Sequence, residues 1–372
     1  MQIVIENLSD TAGLLGARRV FSVPRSLPAD VKTLDASRWQ AHPALYDADT
    51  LLALRDARLS ESDREVALAG GVARLNASIG WQRMADREEA AALLRMAKDS
   101  VMPRVRLLLS VMPDQDTEGF AAWFADYARH APTGDGTLLR ACKLYGREPH
   151  FARNLEAVWA AGWLPVVFTA EPRALLARAA ELGRPIVFRH AASAADLDAM
   201  QAAATADVSR WVTSSPQYLL PVEAGRRAAL AVRPPIADEA TRQALLARFG
   251  EIDLIATDHV ARGATAGPGL QSQHHLLPAL LTLASELAAP PHIVLGKASS
   301  RPAMLFGQDP SDWAVALVSH APAPAAASAS SLSMPGIDGE RDPFDGAPFA
   351  PRVMAIVHGE TFWPTRHLLE SF

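Results

Sequence analysis

Short apolar runs rich in β-branched and aromatic residues alternate along most of the chain with longer stretches whose alanines and leucines recur at helical spacing. Eight runs read as strands: TLLALRD (50–56), VARLNASIG (72–80), RVRLLLSVM (104–112), LLRACKLY (138–145), LPVVFTAE (164–171), RPIVFRHA (184–191), SRWVTSSP (209–216) and IDLIATDH (252–259). Between them lie REEAAALLRMAKD, FARNLEAVWAAG, PRALLARAAELG, AADLDAMQAAA and DEATRQALLARFG, which read as helices. Gly162 and Gly183 close two of these where a helix C-cap belongs, just before the next strand. This alternation predicts an α/β fold with a parallel sheet. Eight βα units in about 250 residues match a closed (β/α)₈ barrel, whose working end is the C-terminal end of its strands; an open doubly wound sheet is the alternative.

Both chain ends carry a different pattern. Residues 1–46 hold IVIENL and RRVFSVP, and residues 342–372 hold PRVMAIVHGETFW, alternating pieces without helical partners. They predict a small β domain built from both ends, flanking a barrel over 47–312. The intervening 313–341 contains APAPAAASASSLSMPGIDGER, a composition that cannot pack a core and reads as a low-complexity loop or linker.

Composition narrows the function. A chain of 372 residues, 49% hydrophobic and 21% charged, has the material for a sizeable core. Its formal charge of −5 and pI near 6.1 give no electrostatic case for nucleic acid or an anionic membrane as partner. A single cysteine, Cys142, excludes an internal disulfide and a four-cysteine zinc site and suits a reducing, cytoplasmic setting. Neither a signal peptide nor a membrane-length apolar run is recognisable.

Polar residues interrupt the apolar runs at their C-terminal ends: Arg55 and Asp56, Lys143, Glu171, His190, Ser214 and Ser215, then Asp258 and His259. Lysine, histidine and aspartate on the fourth, sixth and eighth strands suggest a divalent metal site, because imidazole and carboxylate are common ligands. An ammonium cannot ligate, so Lys143 would have to be carbamylated. The blander readings are a satisfied strand-end pair at Asp258 and His259, a hydrogen-bonding structural His190, a Lys143 ion pair with an acid such as Glu171, and a rim ion pair of Arg55 with Asp56. His274 and His275 are adjacent at a predicted helix start, where neighbouring side chains should not face one site.

Taken with CKLYG around Lys143, LAVRPPIADEATRQALLARFGEIDLIATDH, GPGLQSQHHLLPALLTLA and DPFDGAPFAPRVMAIVHGETFW, the chain resembles the dihydroorotase branch of the amidohydrolase superfamily, which includes allantoinases and hydantoinases. The resemblance implies a metal-bound hydroxide attacking a cyclic amide, Asp258 as metal ligand and proton shuttle, Lys143 as bridging carbamate, and His190 as ligand of a second metal. It also implies a homo-oligomer and, as a partner, aspartate carbamoyltransferase.

Several positions depart from the family pattern. With the first-strand motif Asp-x-His-x-His-x-Arg set on Asp49 and Arg55, Leu51 and Ala53 fall where both histidines belong. Thr169 stands in place of the fifth-strand histidine, Gly80 in place of a substrate-binding asparagine, and Arg262 in place of a histidine in the eighth-strand motif. Lys143, His190 and Asp258 are then the remaining metal ligands. Lowering the pKa of water from about 15.7 to about 7 is the metal's main contribution to such hydrolysis, and three ligands at scattered corners are poorly placed to supply it. Three functions follow: a silent homologue kept as an architectural subunit, with no cofactor; a zinc-dependent cyclic amidohydrolase with a reduced metal site; or a metal-free protein holding an anionic ligand through Arg55 and Arg262.

Overall fold

The computed structural model describes residues 2–371 apart from positions 7, 9–17, 25–26, 29–30, 32, 113–116, 170, 202–208, 265–268, 309–313, 321–333, 335–336, 348 and 350. Its N-terminal strands are β1 (Gln2–Glu6), β2 (Arg18–Ser22), β3 (Thr33–Asp35) and β4 (Trp39–Pro43). The central run comprises β5 (Leu45–Leu51), β6 (Val72–Gly80), β7 (Arg104–Ser110), β8 (Leu138–Tyr145), β9 (Leu164–Phe168), β10 (Ile186–Arg189), β11 (Arg210–Ser214), β12 (Leu254–Ile255) and β13 (His259–Val260). The last three are β14 (Val315–Ser319), β15 (Arg352–His358) and β16 (Thr361–Pro364).

Strands β5 to β13 form one parallel sheet in the order β12-β11-β10-β9-β8-β7-β6-β5-β13. Its two edge members are halves of a single run split at Ala256–Asp258: Thr213 pairs with Leu254 on one side, and Thr50 with His259 on the other. One chain segment thus joins both ends of the sheet, which gives the (β/α)₈ barrel. The split falls at Asp258, whose φ of 54° is left-handed, a conformation aspartate tolerates better than most residues. The run expected as one strand over 252–259 is therefore two short ones.

The first barrel strand also differs from expectation. It spans Leu45–Leu51, five residues earlier than 50–56, and Arg55 lies beyond it on a single 3₁₀ turn, Arg55–Ala57. Hydrocarbon misled the reading: Leu51, Leu52 and Leu54 extend the apolar signal past the last paired residue, while Asp47 and Asp49 sit inside the strand and are buried.

The helices follow the pattern closely. Arg87–Asp99 is capped by Asp86, whose carboxylate accepts from the backbone N–H groups of Glu88 and Glu89. Phe151–Ala160 and Pro172–Leu182 are followed by Gly162 and Gly183 at φ of 72° and 59°, the left-handed geometry that glycine supplies without steric cost. Leu75, Leu107, Cys142, Phe188 and Leu280 belong to the core cluster shared by sheet and helices.

The second sheet, in the order β3-β1-β2-β16-β15-β14-β4, is the small β layer built from both chain ends. Strand β14 lies inside the stretch 313–341 that reads as linker, and this corrects the boundary. All five of its residues are buried because its faces serve two cores: Val315 and Leu317 pack with Ile3, Phe21 and Phe362, and Ala316 and Val318 with the barrel cluster. Most of the Pro, Ala and Ser-rich remainder lies outside the described residues. Among the described residues no helix is long and apolar enough to cross a membrane.

Candidate functional site

Three residues singled out from the sequence, Lys143 at the end of β8, His190 after β10 and Asp258 in the split strand, meet at the C-terminal end of the barrel. Two others join them. Asp49 of β5 accepts from the Lys143 ammonium at 3.0 and 3.3 Å, and from the Ser78 hydroxyl at 3.3 Å. Arg189 ends β10 with its side chain only 3% exposed, and one guanidinium nitrogen contacts Asp49 Oδ2, Asp258 Oδ1 at 2.9 Å and His190 Nε2 at 2.5 Å. The centre is an ion-pair chain, Lys143 to Asp49 to Arg189 to Asp258. The acid facing Lys143 is thus Asp49, not Glu171.

The protonation states follow from this arrangement. Burial, then the neighbouring Arg189 cation, pushes the His190 pKa down to about 4, so its imidazole is neutral at neutral pH. Its Nε2 then accepts from the guanidinium while Nδ1 faces the Ser215 hydroxyl at 3.1 Å. Burial opposes ionisation of Asp258, but its neighbours, the Arg189 and Lys143 cations among them, override it and hold the carboxyl below the usual range. Arg189 Nε and Nη1 are buried without a hydrogen-bond partner.

Asp47, one alternate position earlier on β5, is structural. Its carboxylate accepts from the Thr257 N–H at 3.0 Å, the Thr257 hydroxyl and the Gln273 amide at 2.8 Å, tying the first strand to the split one. Burial pushes its pKa up to about 6 against those hydrogen bonds.

Sequence reasoning missed Asp49 and Arg189, and the frame of the first-strand motif was the cause. Set on Asp47 instead of Asp49, the Asp-x-His-x-His pattern places Asp49 at the first histidine position and Leu51 at the second. Whatever the frame, the structure places the Asp49 carboxylate beside His190 and Asp258: their ligand atoms all lie within 4.8 Å of one another.

Oxygen and nitrogen donors alone do not make these residues fit a metal. A dication there would meet the Arg189 guanidinium, which already engages both carboxylates and the imidazole nitrogen that would ligate. Removing that guanidinium from its partners would leave a buried charge uncompensated. The donor set is already neutralised by two cations of the protein itself.

Arg55 and Arg262 stand apart from this centre. Both are exposed and line, with Arg58, Ser60 and Ser62, an open cavity of about 480 Å³. Nothing in their placement joins them to Lys143 or His190. His274 and His275, expected to face apart, instead both reach the Asp342 carboxylate, at 3.2 and 2.9 Å. The irregular 3₁₀ turn Gln273–His275 that precedes the helix Leu276–Glu286 lets successive side chains converge.

Solved structures show the same architecture. A dihydropyrimidinase from Brevibacillus agri aligns over 97% of this chain and 95% of its own, with a TM-score of 0.66 at 13% identity. The L-hydantoinase (dihydropyrimidinase) of Arthrobacter aurescens covers 98% and is itself covered to 96%, with a TM-score of 0.66 at 15% identity. For a D-hydantoinase from a Thermus species the corresponding values are 97%, 94%, 0.64 and 13%. The chain is similar to these proteins in fold, a (β/α)₈ barrel with a separate β sheet. No protein-family model matches it, and no curated protein does.

Proposed function

We propose that this chain keeps the cyclic-amidohydrolase scaffold but not its hydrolytic chemistry, and that it serves as a non-catalytic, architectural member of that group. One observation carries the reading. The guanidinium of Arg189 contacts Asp49 and Asp258 and faces His190 Nε2, so an internal cation stands among the donor atoms that the resemblance would assign to a metal. Without a metal to acidify water, Asp258 has no activated nucleophile to serve, and its ionised carboxylate is committed to an ion pair. The family resemblance points to aspartate carbamoyltransferase as the partner of such a scaffold; separate elution of the two co-expressed chains would remove that part.

The reduced-site hydrolase is the second reading, favoured by the proximity of the Asp49, His190 and Asp258 donor atoms. It requires the Arg189 side chain to swing away and leave room for one ion. Purified protein supplied with zinc and bicarbonate is expected to show no hydrolysis of dihydroorotate, hydantoin or dihydrouracil above the uncatalysed rate. Turnover that disappears in Asp258→Ala would decide for the hydrolase and against the scaffold.

A further inference from the structure

Outside the ion-paired centre, the C-terminal segment and the turn Gln273–His275 bring a second group of donor atoms together. The Nε2 atoms of His274 and His275 stand 3.2 and 2.9 Å from Asp342 Oδ2, and the three donor atoms lie within 4.8 Å of one another. In a tetrahedral zinc site with bonds of about 2.0–2.1 Å, donors stand about 3.3 Å apart, so only small side-chain adjustments separate this group from a ligand set. Two imidazoles and one carboxylate form a borderline donor set suited to zinc-like ions and unlike the all-oxygen shells of calcium or magnesium.

The surroundings hold these donors in place. Asp342 Oδ1 accepts from the Phe344 N–H at 2.9 Å, which fixes the carboxylate and leaves Oδ2 turned to the imidazoles. The segment carrying Asp342 is pinned to the one carrying the histidines: the Gln271 N–H donates to the Arg341 carbonyl at 2.9 Å, and Arg341 Nε donates to the Gly269 carbonyl at 3.0 Å. Arg226 donates to the Asp342 carbonyl at 2.8 Å and adds a third tie. Among the described residues no lysine or arginine is bonded to Asp342 Oδ2, in contrast to the centre, where Arg189 fills that role.

We propose that His274, His275 and Asp342 form a divalent transition-metal site of the zinc type, with a fourth position open to water, that fastens the start of the last barrel helix to the segment leading into β15. This site is separate from the one the fold family would imply and stands whether or not the barrel centre is catalytic.

Chelator-stripped full-length protein titrated with Co²⁺, followed by visible absorption, and with Zn²⁺, followed by calorimetry, tests the proposal. One equivalent should bind with a tetrahedral cobalt spectrum, and Zn²⁺ should raise the thermal midpoint. Both signals should be lost in His275→Ala and in Asp342→Asn, and retained in His190→Ala and Asp258→Asn. Should Asp342→Asn fail to fold, His275→Gln, at a partly exposed position, carries the same expectation. Absence of binding to the stripped wild type overturns the proposal. So does binding that survives His275→Ala and is lost in His190→Ala, which would put the ion in the barrel centre.

Discussion

Arg189 and Asp49 are the hub of the buried ion-pair chain at the barrel mouth, and each depends on the other's charge. A guanidinium and an ammonium with almost no solvent contact persist only where carboxylates face them, and here Asp49 faces both. Asp49→Ala is therefore expected to destabilise the fold by about 3–5 kcal/mol, the usual effect of removing one partner from a buried ion pair, measured as a lower midpoint in urea unfolding. A double change to hydrocarbon, Lys143→Met with Asp49→Leu, should be less damaging than Asp49→Ala alone. If Asp49→Ala proves neutral, the network is not what holds the centre. Lys143, His190 and Asp258 were legible in the sequence because each ends an apolar run. Asp49 was hidden because a second aspartate two residues away gives the same alternating pattern, and Arg189 because an arginine beside a histidine carries no spacing signal.

At the scale of elements, helix ends were readable and strand ends were not. Helix termini expose unpaired backbone groups that only a few side chains or a glycine can satisfy, so Asp86, Gly162 and Gly183 announce them. A barrel strand ends wherever its neighbours stop pairing, and the leucines after β5 carry no mark of that. The junction of the helix Glu61–Ala69 with the turn Gln273–His275 shows how closely elements meet. A side chain on Gly70 would collide with the Gln273 carbonyl, and one on Gly71, at φ of 73°, would lie 2.7 Å from Leu277 Cδ2. Gly71→Ala is expected to lower stability by at least about 1 kcal/mol, through both backbone strain and displacement of the last barrel helix. Guanidinium unfolding measures this, and an unchanged midpoint would show that the helix yields freely.

Over the whole molecule, the number of histidines kept neutral links stability to pH. Folded-state pKa values fall from 6.5 to about 4 at His42, His190 and His367 and to about 3 at His259, in each case first through burial. The unfolded chain takes up these protons near pH 6.5 while the folded chain resists until near pH 4, so their contribution to stability is present above the unfolded pKa and is lost as pH falls through that window. Asp47 and Glu148 act in the opposite sense: burial raises their pKa values to about 6 and about 7, so the folded state gains these protons first on acidification and recovers some stability. Four histidines outweigh two carboxyls, at ~1.4 kcal/mol per proton per pH unit. The thermal midpoint should therefore fall steadily from pH 7 to pH 5, and a flat profile by calorimetry would contradict the buried, neutral assignment.

By itself the sequence determined the alternation of strand and helix, the barrel that eight such units close, the β layer made by both chain ends, and three of the polar residues at the mouth. Each of these is written in local periodicity or in residue type at the end of a run. Tertiary structure alone decided that strand β14 has two buried faces, that His274 and His275 converge on Asp342, and that the Arg189 cation stands among Asp49, His190 and Asp258. The reason is physical: hydrophobic period is a property of neighbouring residues, whereas the partner of a buried charge is fixed by segments more than two hundred positions apart in the chain, as Asp47 and Thr257 are.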